Sequence, residues 1–239
     1  IMSFDYCTEF PCDRAEAERA VELTSDWARR GAEVFGTRFE RNGYERVIFG
    51  IVQGSTFEEL RDRSRREILD VDFPGYAIGG LAVGEERART WELTGYVTDG
   101  LPEDKPRYMM GMGTPVDLVE GVARGVDMFD CVMPTRNARN GTVFTPNGKV
   151  ILKNAAHTRD SSPIDGNCGC YTCRNFSRAY LRHIFQAGEI LGPVLATCHS
   201  LYYYCHLMQE MREAIERDEF AKWRVGFIEQ YNAGAVNGA

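Results

Sequence analysis

No apolar run in this chain approaches the roughly eighteen residues that a membrane-spanning helix needs. Its first residues, Ile1-Met2-Ser3-Phe4-Asp5, have neither the basic start nor the apolar stretch of a secretion signal. Cysteine is too sparse for a disulfide-stapled scaffold, at eight in 239 residues. These absences argue against membrane-spanning and secreted disulfide-rich classes and lead us to expect a reducing, cytoplasmic setting. Positive charge is also in deficit, with 28 Lys and Arg against 35 Asp and Glu, which taken alone disfavours a polyanion partner. An initiating methionine is missing, and Ile1 lies within what reads as a β-strand, so a longer parent protein is expected.

What is present suits an ordinary globular chain, since 239 residues with 44% hydrophobic content can bury a full core. Short apolar runs at Ile1–Phe4, Val47–Val52, Tyr76–Leu81, Arg107–Met112 and Met128–Met133 read as strands. Helical patterns lie between them, at Ala15 to Phe35, Phe57 to Leu69, and Pro115 to Arg124 behind Thr114 as N-cap. Near-continuous apolar strands joined by helices imply a parallel sheet covered on both faces, in an α/β fold that is either doubly wound or part of a (β/α)8 barrel. Each run ends in polar or glycine residues: Phe4-Asp5, Val52-Gln53-Gly54, Ile78-Gly79-Gly80, Met110-Gly111 and Phe129-Asp130. Strand ends of that kind form the active-site rim of barrel enzymes, so the barrel is the expected architecture.

Two acids stand at that rim. A carboxylate pair across a barrel mouth can do glycosyl chemistry, one attacking an anomeric carbon while the other handles a proton or holds the leaving group. Asp5 and Asp130 are the candidates. Asp127, three residues before Asp130, competes with it, but the apolar neighbours Phe129 and Cys131-Val132-Met133 make an uncompensated charge costly at Asp130 and favour a functional role there.

Cys168-Gly169-Cys170-Tyr171-Thr172-Cys173 suits a metal better than a disulfide. Thiolates one and three residues apart on a tight turn can converge at about 2.3 Å on one zinc ion, whereas disulfide geometry resists such short loops. One downstream histidine must complete the set. Spacing leaves His183, His199 and His206 open, although the apolar run before His199 suits a ligand fixed at the start of a packed helix. Around this turn the charge reverses: Arg136, Arg139, Lys149, Lys153, Arg159, Arg174, Arg178 and Arg182 face only Asp160 and Asp165 across the same stretch. Phosphate contacts are the natural use of such a segment.

Taken in order, these motifs resemble the bacterial tRNA-guanine transglycosylases, which exchange an anticodon guanine for a 7-deazaguanine precursor of queuosine. The carriers are Ser3-Phe4-Asp5 with Cys7-Thr8, Phe49-Gly50-Ile51-Val52-Gln53-Gly54, Gly79-Gly80-Leu81-Ala82-Val83-Gly84-Glu85, Tyr108-Met109-Met110-Gly111 and Asp127 through Arg136. Cys168, Cys170, Cys173 and then His199 complete the series.

The resemblance implies an incomplete (β/α)8 TIM barrel over 1–139, a zinc-binding subdomain over 140–205, and a C-terminal helical segment over 206–239 packing on the barrel. Asp130 would be the nucleophile that forms a covalent enzyme–RNA intermediate. Asp5 would hold the purine's N–H edge, Gln53 and the Gly80 N–H its carbonyl oxygen, and Met110 its ring, with Gly79 and Gly111 shaping the pocket. Leu81 and Ala82 would line the 7-substituent, with Glu85 orienting that loop. Val83 and Cys7 point to the bacterial form, which takes 7-aminomethyl-7-deazaguanine. Thr135, Arg136 and Arg139 would meet a tRNA with a GUN anticodon, and Cys168, Cys170, Cys173 and His199 would hold one structural zinc ion, keeping a basic subdomain beside Asp130.

Family members carry an N-terminal half, with earlier strands and a second catalytic aspartate, that does not occur here. Residues 1–239 alone are therefore expected to be inactive, with the remainder of the barrel supplied in cis or in trans. The family is commonly homodimeric, and Leu201–Tyr204 offers apolar surface for such a contact. Two other readings are a barrel glycoside hydrolase using Asp5 and Asp130, and a non-catalytic RNA-binding subunit. The Gly79–Glu85 loop with the basic cysteine segment opposes the first, and the presence of Asp5, Gln53, Gly80 and Asp130 together opposes the second.

Overall fold

A computed structural model describes residues 1–237, which divide into two compact units, one of 1–112 with 120–130 and one of 113–119 with 131–239. In chain order the first elements are α1 (Arg14–Phe35), the hairpin strands β1 (Arg38–Arg41) and β2 (Tyr44–Val47), then β3 (Gly50–Val52), α2 (Glu58–Leu69), β4 (Tyr76–Ile78), α3 (Arg87–Thr98), β5 (Arg107–Met109), α4 (Pro115–Val122) and β6 (Met128–Phe129). There follow α5 (Met133–Arg139), the hairpin β7 (Thr142–Thr145) and β8 (Gly148–Ile151), and then α6 (Tyr171–Asn175), α7 (Arg178–Gln186), α8 (Leu191–Glu216) and α9 (Phe220–Asn237). No helix among the described residues is long and apolar enough to cross a membrane.

The first unit is built on a four-stranded parallel sheet in the order β3-β4-β5-β6. A fifth segment joins it through a parallel bridge from Met2 to Phe49, where Ser3 N–H donates to the Phe49 carbonyl at 2.9 Å. Every residue of β3 and β4 is buried, as expected of strands covered on both faces. The observed strands are shorter than the apolar runs, because a run counts apolar residues whether or not they pair, and Ile1, Phe4 and Val132 are exposed. Only Met2 of the first run makes a bridge, and Met133 opens a helix instead of ending a strand.

Helix α1 starts at Asp13, whose carboxylate accepts from the Glu16 N–H at 2.8 Å, and it buries Ala17, Ala20, Val21, Thr24 and Ala28 along one face. Helix α4 starts as expected at Thr114, whose hydroxyl accepts from the Asp117 N–H at 3.2 Å. The core gathers Ile48, Val52, Ile68, Phe73, Tyr76, Ile78, Leu93, Val97 and Met109. Each such side chain contributes roughly 1.5–3 kcal/mol, so side-chain burial, more than ladder hydrogen bonds, holds strands of two or three residues in place.

The second unit is organised by α8. Its buried residues Leu195, Ala196, His199, Ser200, Tyr203, Tyr204, Leu207 and Met211 recur at helical spacing and form one inward stripe. A separate core of Ala138, Val143, Leu152, Ile164, Leu181, Ile184 and Leu195 encloses Cys170 and Cys173. Of the apolar surface expected at Leu201–Tyr204, half is present. Tyr203 and Tyr204 lie on the buried stripe, and only Leu201 and Tyr202 face outward.

Candidate active site and metal centre

In the first unit the carboxyl ends of the parallel strands carry the polar groups. Gln53 follows β3 and is almost fully buried, its backbone N–H donating to Ser64 Oγ at 2.9 Å and its Nε2 donating to Asp5 Oδ2 at 2.6 Å. Its Oε1 is buried without a hydrogen-bond partner. An orphaned buried carbonyl oxygen is costly unless something else occupies the space before it. Gly79 and Gly80 follow β4 and make room for this amide. A Cβ on Gly80 would stand 2.2 Å from Gln53 Oε1, one on Gly79 would stand 2.7 Å from Nε2, and Gly80 sits at φ +65°.

The loop beyond is tied by Glu85. Its Oε1 accepts from the Ala82 N–H and from Thr90 Oγ1, both at 2.6 Å, and its Oε2 accepts from the Val83 N–H at 3.1 Å. Burial favours the protonated form of Glu85, but the bonds from Thr90, Ala82 and Val83 outweigh it and hold the carboxyl below its usual range. Cys7 lies nearby with its thiol pushed up by burial and by the charge of Asp5.

At the end of β6, Asp130 Oδ1 accepts from Tyr108 Oη and from the Gly111 N–H, each at 3.1 Å. Burial together with the charge and hydrogen bond of Asp130 pushes Tyr108 up to about 12, so its hydroxyl stays a donor. The apolar neighbours do not bury Asp130, contrary to the expectation from its flanks. Its carboxylate is exposed, with Val132 also turned outward, and the charge is met by two donors and solvent. Asp127 has a different duty, its Oδ2 accepting from the Arg107 N–H at 2.8 Å on the neighbouring strand. Asp130 reaches the same strand through the Tyr108 hydroxyl, so both acids are hydrogen-bonded to β5. Tyr108 was part of a recognisable motif, yet nothing in its spacing announced a hydroxyl aimed at Asp130. Met110 is half-buried next to exposed Gly111.

In the second unit, α5 carries Thr135, whose hydroxyl donates to the Val132 carbonyl at 3.2 Å, and Arg136 and Arg139 with exposed side chains. Arg178 spends part of the basic segment's charge on Asp160 at 3.3 Å.

The cysteine turn meets α8. His199 Nδ1 lies 3.7, 3.6 and 3.3 Å from the sulfurs of Cys168, Cys170 and Cys173, and all four donor atoms fall within 4.8 Å of one another. Bonds of about 2.3 Å to sulfur and 2.0–2.1 Å to nitrogen in a tetrahedron separate S from N by about 3.5 Å, so this spacing fits a metal ion. Orientation agrees with distance. His199 Nε2 is 2.9 Å from the Phe144 carbonyl, which can only accept, so Nε2 carries a hydrogen and Nδ1 is the nitrogen turned to the thiols. Hydrogen bonds with Cys168 and Cys173 pull Cys170 well below the ordinary thiol range, whereas those with Cys168 and Cys170 push Cys173 far above it. Burial lowers His199, but its contacts with Cys168 and Cys170 prevail and raise it to about 9. Without a cation the cluster retains protons that a metal would displace.

His199 was expected to begin a helix, but α8 begins at Leu191, and the histidine sits inside the buried stripe. His183 faces outward, and His206 is exposed beside Glu210. Spacing had left the three histidines open; the buried repeat of Leu195, His199, Tyr203 and Leu207 could have separated them.

A family model described as queuine tRNA-ribosyltransferase matches residues 1–233. The chain is 52% identical over 231 residues to the queuine tRNA-ribosyltransferase of Caldanaerobacter subterraneus subsp. tengcongensis, covering 97% of this chain and 60% of the relative. It is 51% identical over 231 residues to that of Thermoanaerobacter pseudethanolicus, with the same coverage, and 49% identical over 235 residues to that of Azoarcus sp., covering 98% and 62%. The chain thus spans about 60% of the length of these curated relatives. Matched across nearly all of its length, it belongs to the queuine tRNA-ribosyltransferase family.

Proposed function

We propose that this chain carries the nucleophile and the base pocket of a tRNA-guanine transglycosylase acting in queuosine synthesis. The observation that carries the reading is the strand edge itself. Asp130, held by Tyr108 and Gly111, ends β6 of the same parallel sheet in which the Asp5–Gln53 pair and the Gly79–Gly80 turn follow earlier strands.

The chemistry follows from that edge. An Asp130 oxygen attacks C1′ of the wobble-position ribose in a tRNA with a GUN anticodon, and the C1′–N9 bond breaks with its electron pair leaving on guanine. The departing guanine takes up a proton at N9, and the incoming 7-aminomethyl-7-deazaguanine gives one up from the matching ring nitrogen as it displaces Asp130, which returns to a free carboxylate. Two displacements at one carbon retain configuration. Asp5 accepts from the purine N–H edge. Gln53 and the Gly80 N–H receive its carbonyl oxygen, Met110 covers the ring, and Leu81, Ala82 and Glu85 shape the surroundings of the 7-substituent. Thr135, Arg136 and Arg139 hold RNA while the target base is turned out into the pocket.

Cys168, Cys170, Cys173 and His199 hold zinc in this reading. With four protein ligands the ion supplies cross-linking and no open coordination position. The sheet runs in sequential order with no reversal, which supports its being the later part of a (β/α)8 barrel completed in cis or in trans. Division into a barrel part at 1–139, a zinc subdomain at 140–205 and helices at 206–239, a homodimeric state and a cytoplasmic setting belong to the same proposal.

Exchange of labelled guanine into tRNA, with trapping of the covalent adduct, tests it. The protein in its full natural length should exchange base, and Asp130→Ala should lower the rate by about 10⁴-fold or more while tRNA affinity changes little. An adduct that survives Asp130→Ala overturns the assignment, and exchange by residues 1–239 alone overturns the expected inactivity.

A further inference from the structure

Arg61, in the first turns of α2, takes no part in the chemistry above, yet it is the bulkiest fully buried side chain among the described residues, at 1% exposure. Its partners are all backbone carbonyls. Nε donates to Ser55 at 2.8 Å, Nη1 to Gly79 at 2.9 Å and more distantly to Val52 at 3.4 Å, and Nη2 to Gly80 at 3.0 Å. Buried cations are ordinarily matched by a carboxylate, because removing a charge from water is expensive. Here carbonyl dipoles from the ends of two strands surround it, and the negative charge of Glu85 also favours its charged form. Burial lowers the guanidinium to about 9, which leaves it cationic near neutral pH.

The direction of these bonds matters. A trans peptide is planar, so the N–H following a carbonyl points the opposite way. With the Gly79 and Gly80 carbonyls turned onto Arg61, the N–H groups of Gly80 and Leu81 turn away from it. The Gly80 N–H is hydrogen-bonded toward the sulfur of Cys7, beside Asp5, a weak acceptor that an entering carbonyl oxygen would displace. Neither N–H has a backbone acceptor among the described residues. The orphaned Oε1 of Gln53 lies against the same turn.

We propose that Arg61 is a positioning residue of the base pocket, locking the Gly79 and Gly80 carbonyls so that the Gly80 and Leu81 N–H groups face the purine's carbonyl oxygen, and favouring the negative charge which that oxygen gains. This inference rests on the base-pocket reading. When the C1′–N9 bond breaks, its electron pair enters the purine and is shared with the carbonyl oxygen. The fixed N–H dipoles, backed by a buried cation, meet that charge without reorganising, and Arg61 itself transfers no proton.

The test compares wild type, Arg61→Lys and Arg61→Met in the full natural length of the protein. Three quantities are read: melting temperature, kcat and KM for guanine exchange, and the affinity for guanine relative to 2-aminopurine, which lacks guanine's carbonyl oxygen and its N1–H, the latter loss being common to wild type and variants. Arg61→Met should lower kcat by about 100-fold, the scale of losing a fixed donor to a developing oxyanion. Preference for guanine over 2-aminopurine should fall by about tenfold or more, with 2-aminopurine affinity unchanged. Arg61→Lys keeps the charge but cannot reach three carbonyls at once, so it should lie between and raise KM for guanine.

Equal weakening of both bases, or a preference and kcat within about threefold of wild type, overturns the role of Arg61. If Arg61→Met does not fold, the same ratio in Arg61→Lys decides. A wild-type protein with no preference for guanine overturns the pocket reading, and the role of Arg61 with it.

Discussion

The metal centre and the strand-edge site gather their groups in opposite ways. Three of the four metal donors come from six consecutive residues, and the fourth arrives on one helix. The strand-edge groups are spread from Asp5 to Asp130, each delivered by a different strand end. Donors of the first set converge on a point, leaving no room for anything but an ion. The second set leaves an unpaired oxygen, a glycine turn and a presented carboxylate around a space. Soft donors in one shell point to a cross-link, whereas hard donors along an edge point to a ligand that comes and goes.

If that contrast is right, damage to the two sites should differ in kind. Stripping the metal with a chelator, or Cys170→Ser, should have the largest effect. Structural zinc binds with an apparent free energy of about 10–16 kcal/mol, comparable to the whole stability of a domain at about 5–15 kcal/mol. Melting of the second unit and loss of RNA binding are expected together, followed by circular dichroism alongside a colorimetric zinc-release assay. Chemistry lost with folding and RNA binding intact would break the comparison, since the ion would then be acting on substrate.

Gly80→Ala should come next. A Cβ there meets Gln53 Oε1 head-on, at a backbone conformation that alanine adopts only with strain. Affinity for guanine should fall by about 100-fold, with a loss of about 1–3 kcal/mol in stability, both measurable by calorimetry. Base affinity within a few-fold of wild type would mean that Gln53 can move aside and that the pocket is not fixed by the turn.

The smallest effect is expected from Tyr108→Phe. A hydrogen bond to a carboxylate is worth about 1.5–3 kcal/mol, which predicts a fall in adduct formation of about tenfold or more, with Gly111 still holding the same oxygen. Because Tyr108 keeps its proton up to about 12, this deficit should be equal at about pH 7 and about pH 9. An alkaline loss of rate in that range that disappears in the Phe variant would show that the tyrosine titrates during the reaction.

Much of this was readable before any coordinate. The cysteine spacing announced a metal because short loops suit convergence on an ion, and the glycines and acids at the ends of apolar runs announced a strand edge. The helices α1 and α2 were legible from their apolar repeat to within a residue at each end. The hairpins β1–β2 and β7–β8 were not, because their strands are four residues long and mostly lack a continuous apolar run.

By itself, then, the sequence determined which chemistry was available and on which strand ends it would stand, since those follow from local spacing and periodicity. Tertiary structure decided what each acid touches, Asp127 the Arg107 N–H and Asp130 the Tyr108 hydroxyl and the Gly111 N–H. It also decided that the expected apolar flank does not bury Asp130, and that an arginine in the first turns of a helix lies beneath the glycine turn. Those outcomes depend on contacts between residues far apart in the chain, and such contacts leave no period or spacing to read.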